Sequence, residues 1–375
     1  LGIFGMLVCI SDGSWFSFNR KAKAAAATGL LATIFIPSVI SPFIGNRYDD
    51  AMITSDRNLQ VIIVQPNIDP YNKFEAMTQD QQNAILEDQI RKELDRIRTD
   101  STSSPVLIVA PETFTSDIIV GQYERSRTWR RFTSLLSEYP GVNMLFGASS
   151  YEYIASEKRP SHTARHLKDD LWYEAYNSAI MIDGTGRTEI FHKSKLVVAV
   201  EKTPYPAIFC KIDDMLGGVM GRCIGQDEIT LLGVEAADGR KTPIGSAVCY
   251  ESVYGEYYTG YINKGAEAMT IITNDAWWGN TPGYRQHLSY ASLRAIETRR
   301  AIARCANTGI SAIISPDGKI LQPTPWWEPA VIKGQIPLRN DITFFVAHGD
   351  ITGRVCTFIF MLLLLALAVR FVTNR

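Results

Sequence analysis

The chain has 375 residues, 46% of them hydrophobic and 21% charged, enough for one large domain or two ordinary ones. A formal net charge of −1, with no long Lys/Arg run, excludes the basic surface that phosphate-backbone binding needs, so no nucleic-acid partner is expected. Six cysteines without a C-x-x-C pair, and five histidines not spaced as zinc ligands, supply no metal set.

In chain order, residues 1–10 (LGIFGMLVCI) read as the tail of a membrane span. Because the chain begins with Leu, a piece of a longer membrane protein is expected. Residues 24–46 run without a charge, long enough to cross a hydrocarbon core of about 30 Å, and Pro37 and Pro42 would kink that helix without forbidding it. Short apolar runs bounded by turn residues predict strands at 59–64, 106–110, 142–147, 177–182, 244–248, 269–273 and 311–314. Helical spacing of apolar residues predicts a helix across 74–97, with others at about 123–138, 253–264 and 284–305. Residues 200–240, rich in Gly and Pro, read as long loops, in which Cys210 and Cys223 are compatible with a disulfide or with two free thiols. A second apolar span follows at about 355–372. Basic residues Arg20, Lys21 and Lys23 at one end, and Arg370 and Arg375 at the other, place both connections in the cytoplasm and residues 47–350 on the opposite side. The expected organisation is the end of a membrane domain at 1–46, one α/β domain at 47–350, and a transmembrane helix with a short tail at 351–375.

Three reactive side chains stand at or near the ends of apolar strands, where α/β folds expose their sites. Glu112 follows a strand and a proline in VLIVAPETF. Cys249 ends the strand in PIGSAVCYES, and a helix starting near residue 253 would aim N–H groups at its thiolate and lower its pKa. Taken alone, such a cysteine is more often a small buried hydrophobe. Lys193 lies in IFHKSKLVV, where Lys193 and Lys195 would share one side of an extended segment, the plain reading being a solvated strand edge.

In this order the segments resemble the nitrilase, or carbon–nitrogen hydrolase, superfamily. Within it they resemble the bacterial apolipoprotein N-acyltransferases. The residues that carry the resemblance are Q-P-N-I at 65–68, P-E-T at 111–113, K-S-K-L-V at 193–197, Glu201, and C-Y-E at 249–251. They continue with N-D-A-W-W-G at 274–279, Q-H at 286–287, R-A-I-E at 294–297 and N-T-G-I at 307–310. Flanking apolar spans strengthen it. There are departures: Lys195 stands where the family usually has histidine, Ala199-Val200-Glu201 replaces F-G-E, and Phe74 occupies the place of a tryptophan.

The resemblance implies an α-β-β-α sandwich between transmembrane helices, and an enzyme of the bacterial inner membrane whose catalytic domain faces the periplasm. It implies Glu112 as general base, Cys249 as nucleophile and Lys193 as oxyanion stabiliser, with no cofactor. A phospholipid would donate an acyl chain to Cys249, and the α-amine of a diacylglyceryl-cysteine apolipoprotein would accept it. Glu201, Tyr250 and Glu251 are expected to support the site, Glu251 by orienting Lys193 or the oxyanion site and Tyr250 through the thioester pocket. Phe74, Trp277 and Trp278 are candidate lipid contacts, the two tryptophans being equally compatible with interfacial or core aromatics; His287 reads as a hydrogen-bonded structural residue. Two rival readings are a membrane-anchored amidase acting on small amides and a non-enzymatic membrane module.

Overall fold

The computed structural model describes residues 13, 19–53, 57–70, 77–99, 105–218 and 220–373, so Phe74 and the stretch 1–10 lie outside the described residues. Ser55–Ala347 forms one compact unit, and the terminal helices Arg20–Ile53 and Ile351–Thr373 belong to another. Both helices are long and apolar enough to cross a membrane. Pro37 and Pro42 sit inside the first, whose helical run is longer than the predicted 24–46.

Two sheets make the centre of the larger unit. The first places strands in the spatial order Ala330–Pro337, Asn58–Gln65, Val106–Val109, Val142–Ala155, Leu171–Asp183 and Arg165–Lys168. Thr115–Ile119 pairs with the fourth of these and Thr188–His192 with the fifth. The second runs Ile320–Leu321, Ala312–Ile314, Ile302–Ala306, Ala268–Thr273, Lys241–Val248 and Leu232–Glu235, and its three central strands are parallel.

Alternation along each strand builds the layers. Leu59, Val61 and Ile63 face the other sheet and join Ala247, Ile271 and Ala303 in one core. Ile62 and Val64 face the opposite way and pack with Leu86, Ile90 and Phe132 of the helices Gln79–Thr99 and Arg127–Leu136. Helices Gly255–Asn263 and Gly283–Thr298 supply Tyr258, Tyr261, Leu288 and Ala291 to the first core. The result is the expected α-β-β-α sandwich.

Several expectations are corrected. Residues 200–240 contain the helix Pro206–Met215 and the strand Leu232–Glu235, because proline at the first turn starts a helix as readily as it marks a loop. The predicted helix 284–305 stops at Thr298. Arg299 turns left-handed at φ +52°, and Ile302–Ala306 is a central strand with all five residues buried. The strand Thr188–His192 ends before Lys193 and the chain then bends, so Lys193 and Lys195 do not share a side: Lys193 is buried and Lys195 exposed over the Tyr257 ring. Cys210 and Cys223 are free thiols.

Candidate active site

Glu112 sits in the turn just after Val106–Val109, and backbone crowding fixes that turn. A Cβ on Gly147 would lie 2.5 Å from Glu112 Cα and from Thr113 N, so only glycine lets the neighbouring strand pass. Gly147 N–H donates to Pro111 O (3.0 Å), and Phe114 N–H donates to Gly147 O (2.8 Å).

From the same sheet, Lys193 reaches the carboxylates. Its Nζ donates to Glu201 Oε1 (2.9 Å) and Glu112 Oε1 (3.2 Å), and its side chain is 1% exposed. Burial opposes the charge, but the negative groups around it, Glu112 first, hold this lysine well above the usual range. Asn177 Nδ2 donates to both Glu112 (2.7 Å) and Glu201 (2.6 Å), while its own Oδ1 is buried without a hydrogen-bond partner among the described residues. Asn274 N–H donates to Glu112 Oε2 (3.1 Å). Glu201 Oε2 also accepts from Val197 N–H (2.8 Å), which closes the loop between Lys193 and Glu201.

Cys249 comes from the other sheet. It follows Lys241–Val248 at φ +53° and opens the 3₁₀ turn Cys249–Val253. A side chain in that left-handed region costs roughly 1–2 kcal/mol, so the elbow must be held from outside. Ser252 Oγ donates to Cys249 O (2.8 Å), and His287 Nε2 stands 3.1 Å from the same oxygen. A carbonyl only accepts, so Nε2 is the donor to it. His287 Nδ1 faces Asp275 Oδ1 (2.9 Å), and Asp275 Oδ2 accepts from the fully buried Arg304 (2.7 Å). His287 is thus the structural residue expected, with a defined task.

Glu251 ties the two halves together. Its Oε1 accepts from the N–H groups of Ser194 (2.7 Å) and Lys195 (3.0 Å) and from the Tyr257 hydroxyl (3.1 Å); its Oε2 accepts from Val248 N–H (2.8 Å). It touches the backbone beside Lys193 and not the ammonium itself.

The expected lowering of the Cys249 thiol pKa is reversed. Burial, then the charge of Glu112, push it above the ordinary thiol range, with Lys193 and the Thr273 hydroxyl opposing. No α-helix begins at the sulfur, since Gly255–Asn263 starts farther along. Of the remaining candidates, Tyr250 is partly exposed and edge-on to Tyr254, and Trp277 and Trp278 lie exposed in the turn Asp275–Trp278.

The sequence reading missed Asn177, Asp275 and Arg304. Their signals were an asparagine opening an apolar strand, an acid directly after one, and an arginine inside the apolar run A-I-A-R-C-A. The Q-P-N-I and N-T-G-I segments turn out to fasten each other: Asn307 Oδ1 accepts from Ile68 N–H (3.0 Å) and its Nδ2 donates to Ile68 O (2.6 Å).

A carbon–nitrogen hydrolase family profile matches residues 107–340, which covers the whole of this cluster. The chain belongs to the carbon–nitrogen hydrolase family. It is 30% identical to the apolipoprotein N-acyltransferase of Chlorobaculum tepidum, across 94% of this chain and 65% of that one. It is 29% identical to the apolipoprotein N-acyltransferase of Bdellovibrio bacteriovorus, across 89% of this chain and 58% of that one. The chain therefore spans less than two thirds of the length of these relatives. Among solved structures, a Saccharomyces cerevisiae member of branch 10 of the nitrilase superfamily superposes with a TM-score of 0.50 at 16% identity, covering 75% of this chain and 90% of that one, a likeness of fold. As a carbon–nitrogen hydrolase flanked by two helices apolar enough to span a bilayer, the chain fits the architecture expected of it.

Proposed function

We propose that this carbon–nitrogen hydrolase is an apolipoprotein N-acyltransferase, with Glu112, Lys193 and Cys249 as its catalytic residues. The observation that carries the reading is the match along 94% of the chain to a protein of that name, in a chain with two helices apolar enough to span a bilayer.

In the first half-reaction Glu112 takes the Cys249 thiol proton as sulfur attacks an ester carbonyl of a phospholipid, and Lys193 stabilises the oxyanion. A preorganised donor of this kind contributes on the order of 3 kcal/mol. The carbon–oxygen bond breaks, the lysophospholipid oxygen leaves with the proton from Glu112, and an acyl-thioester remains on Cys249. In the second, the α-amine of diacylglyceryl-cysteine attacks the thioester. Its proton passes through Glu112 to the departing sulfur, and an amide results. In this reading the Oδ1 of Asn177, beside Glu112 and unpartnered among the described residues, accepts an N–H from that amine. Glu201 steadies Lys193, Glu251 holds the Lys193 and Cys249 segments in register, and the exposed Tyr250, Trp277 and Trp278 meet lipid. The reading places the protein in the bacterial inner membrane as a multi-pass chain with residues 47–350 in the periplasm, where the acceptor amine is presented.

The test is mass spectrometry of the protein after incubation with phospholipid. The expected result is an acyl adduct on Cys249, released by hydroxylamine and transferred to a diacylglyceryl peptide. Hydrolysis of small amides with no adduct from phospholipid would overturn it in favour of a membrane-anchored amidase.

A further inference from the structure

Beside the carboxylate cluster lies a second polar cavity of about 180 Å³, lined by Tyr151, Thr163, Arg165, Tyr173, Ala175 and Arg222. The strand Leu171–Asp183 links the two. Asn177 holds Glu112 and Glu201, and with a period of two, Ala175 and Tyr173 stand on the same face of that strand. Along the strand the cavity is therefore about 7–13 Å from Asn177. Tyr151 pairs with Ala175 and Arg165 with Tyr173, which gathers the lining residues onto adjacent strands. Cys223 bridges to Ala175, and its N–H donates to Glu201 O (2.7 Å), so one residue touches both places.

The cavity carries unused donors. Arg165 spends Nη2 on Met220 O (2.5 Å), and among the described residues its Nε and Nη1 have no partner. The hydroxyls of Tyr151 and Tyr173, whose rings meet edge-on at 6.0 Å, have none either among the described residues. The acids nearby are already engaged. Arg222 Nε donates to Asp213 (2.8 Å), and Asp214 is paired with Arg222 (2.7 Å) and Arg159 (2.8 Å), so three arginines face two aspartates. Glu174 alternates to the other face of its strand, where it accepts from Ser161 and Tyr176. One positive charge is left over, on a planar fork suited to phosphate.

The geometry points to this cavity as an anion subsite that receives the phosphodiester of the acyl donor, with Arg165 as its principal ligand and the Tyr151 and Tyr173 hydroxyls as additional donors. This rests on the acyltransferase reading above. A glycerophospholipid holds its ester and its phosphate a few bonds apart on one glycerol, a reach comparable to the separation of the two places. The subsite would select a donor bearing phosphate over a neutral glyceride and set where the ester carbonyl lies against Cys249.

The experiment uses the full chain in detergent micelles and follows acylation of Cys249 from phosphatidylglycerol and from diacylglycerol with the same acyl chains. A second readout is the gain in unfolding temperature in inorganic phosphate over chloride at equal ionic strength. The wild type is expected to prefer phosphatidylglycerol. Arg165→Gln should raise KM for that lipid tenfold or more with kcat little changed and collapse the preference, a loss of about one charge-assisted contact. Tyr173→Phe, which keeps the ring, should move KM the same way by less. Unchanged lipid preference with loss of the phosphate effect in Arg165→Gln would assign the cavity to free phosphate and overturn the lipid source. No change in either readout would overturn the anion site. Absence of any adduct in the wild type would sink the acyltransferase reading, and the phosphate readout would then decide the cavity by itself.

Discussion

Glu112 bears on the charge of Cys249. Because burial and the carboxylate of Glu112 hold the thiol above its ordinary range, the resting sulfur is protonated at neutral pH, and the proposed mechanism has thiolate form as Glu112 accepts the proton during attack. Replacing Glu112 by Gln removes a negative neighbour, so the thiol pKa should fall while acyl transfer is lost. Iodoacetamide labelling of Cys249 against pH should show the variant's midpoint shifted to lower pH, and an unshifted or higher midpoint would refute the coupling. Lys193 and Lys195 make a second comparison. Lys193 joins the carboxylates of Glu112 and Glu201, whereas Lys195 is exposed over a tyrosine ring. Lys193→Met should lower kcat by 100-fold or more, the loss of an oxyanion donor, with Lys195→Met within a fewfold of wild type. The reverse order in a thioester assay would show the wrong lysine chosen. Cys249→Ala should carry no adduct, and Cys305→Ala, whose sulfur lies in the core against Val64 O, should keep it.

At the scale of elements, the turn at Cys249 is strained and clamped from behind. Asp275, Arg304 and His287 belong to three consecutive elements of the smaller sheet's side, and they meet beneath Cys249 O. Packing there is close: a Cβ on Gly309 would lie 2.5 Å from Asp275 Oδ2. Burial works against the Asp275 charge, but Arg304 and His287 hold its pKa well below the usual carboxylate range. A depressed folded-state pKa stabilises the fold above the unfolded carboxylate value and ceases to do so as pH falls through the folded one. Asp275→Asn leaves Arg304 buried without its counter-charge, which should cost about 3–5 kcal/mol at pH 7. The gap from wild type should narrow below about pH 4. Thermal unfolding across that range checks it, and a gap independent of pH would refute the ionised pair. Glu251 is the clamp between sheets, where every contacting group is a donor. Glu251→Gln must turn one donor against another, so kcat should fall tenfold or more with the fold retained.

For the whole molecule, the proposed orientation is tested by fusing alkaline phosphatase after residue 340. An active fusion is expected if, as proposed from the basic residues at 20–23 and 370–375, both connections lie in the cytoplasm. An inactive one would remove the exported acceptor and move the amidase reading forward. Much of the architecture was legible in the chain because its signals are local. Runs such as VIIV and TIIT, short and bounded by turn residues, read as buried strands, and charge-free stretches at both ends meet the length a bilayer requires. Glu112, Lys193 and Cys249 were singled out because the order of their segments resembles the carbon–nitrogen hydrolases, where each residue alone had a plainer reading. The strand Ile302–Ala306 was not, since the helical pattern before it runs on without a proline and only a left-handed Arg299 ends it. By itself, then, the sequence determined the main strands and the terminal apolar helices, each a property of a single segment, and the family resemblance added the layers and three candidate residues. Only tertiary structure decided that Lys193 is buried and Lys195 is not, that the thiol pKa rises, and that Asn177, Asp275 and Arg304 complete the site. Those depend on which charges meet across two sheets at low dielectric, and no window along the chain contains both partners.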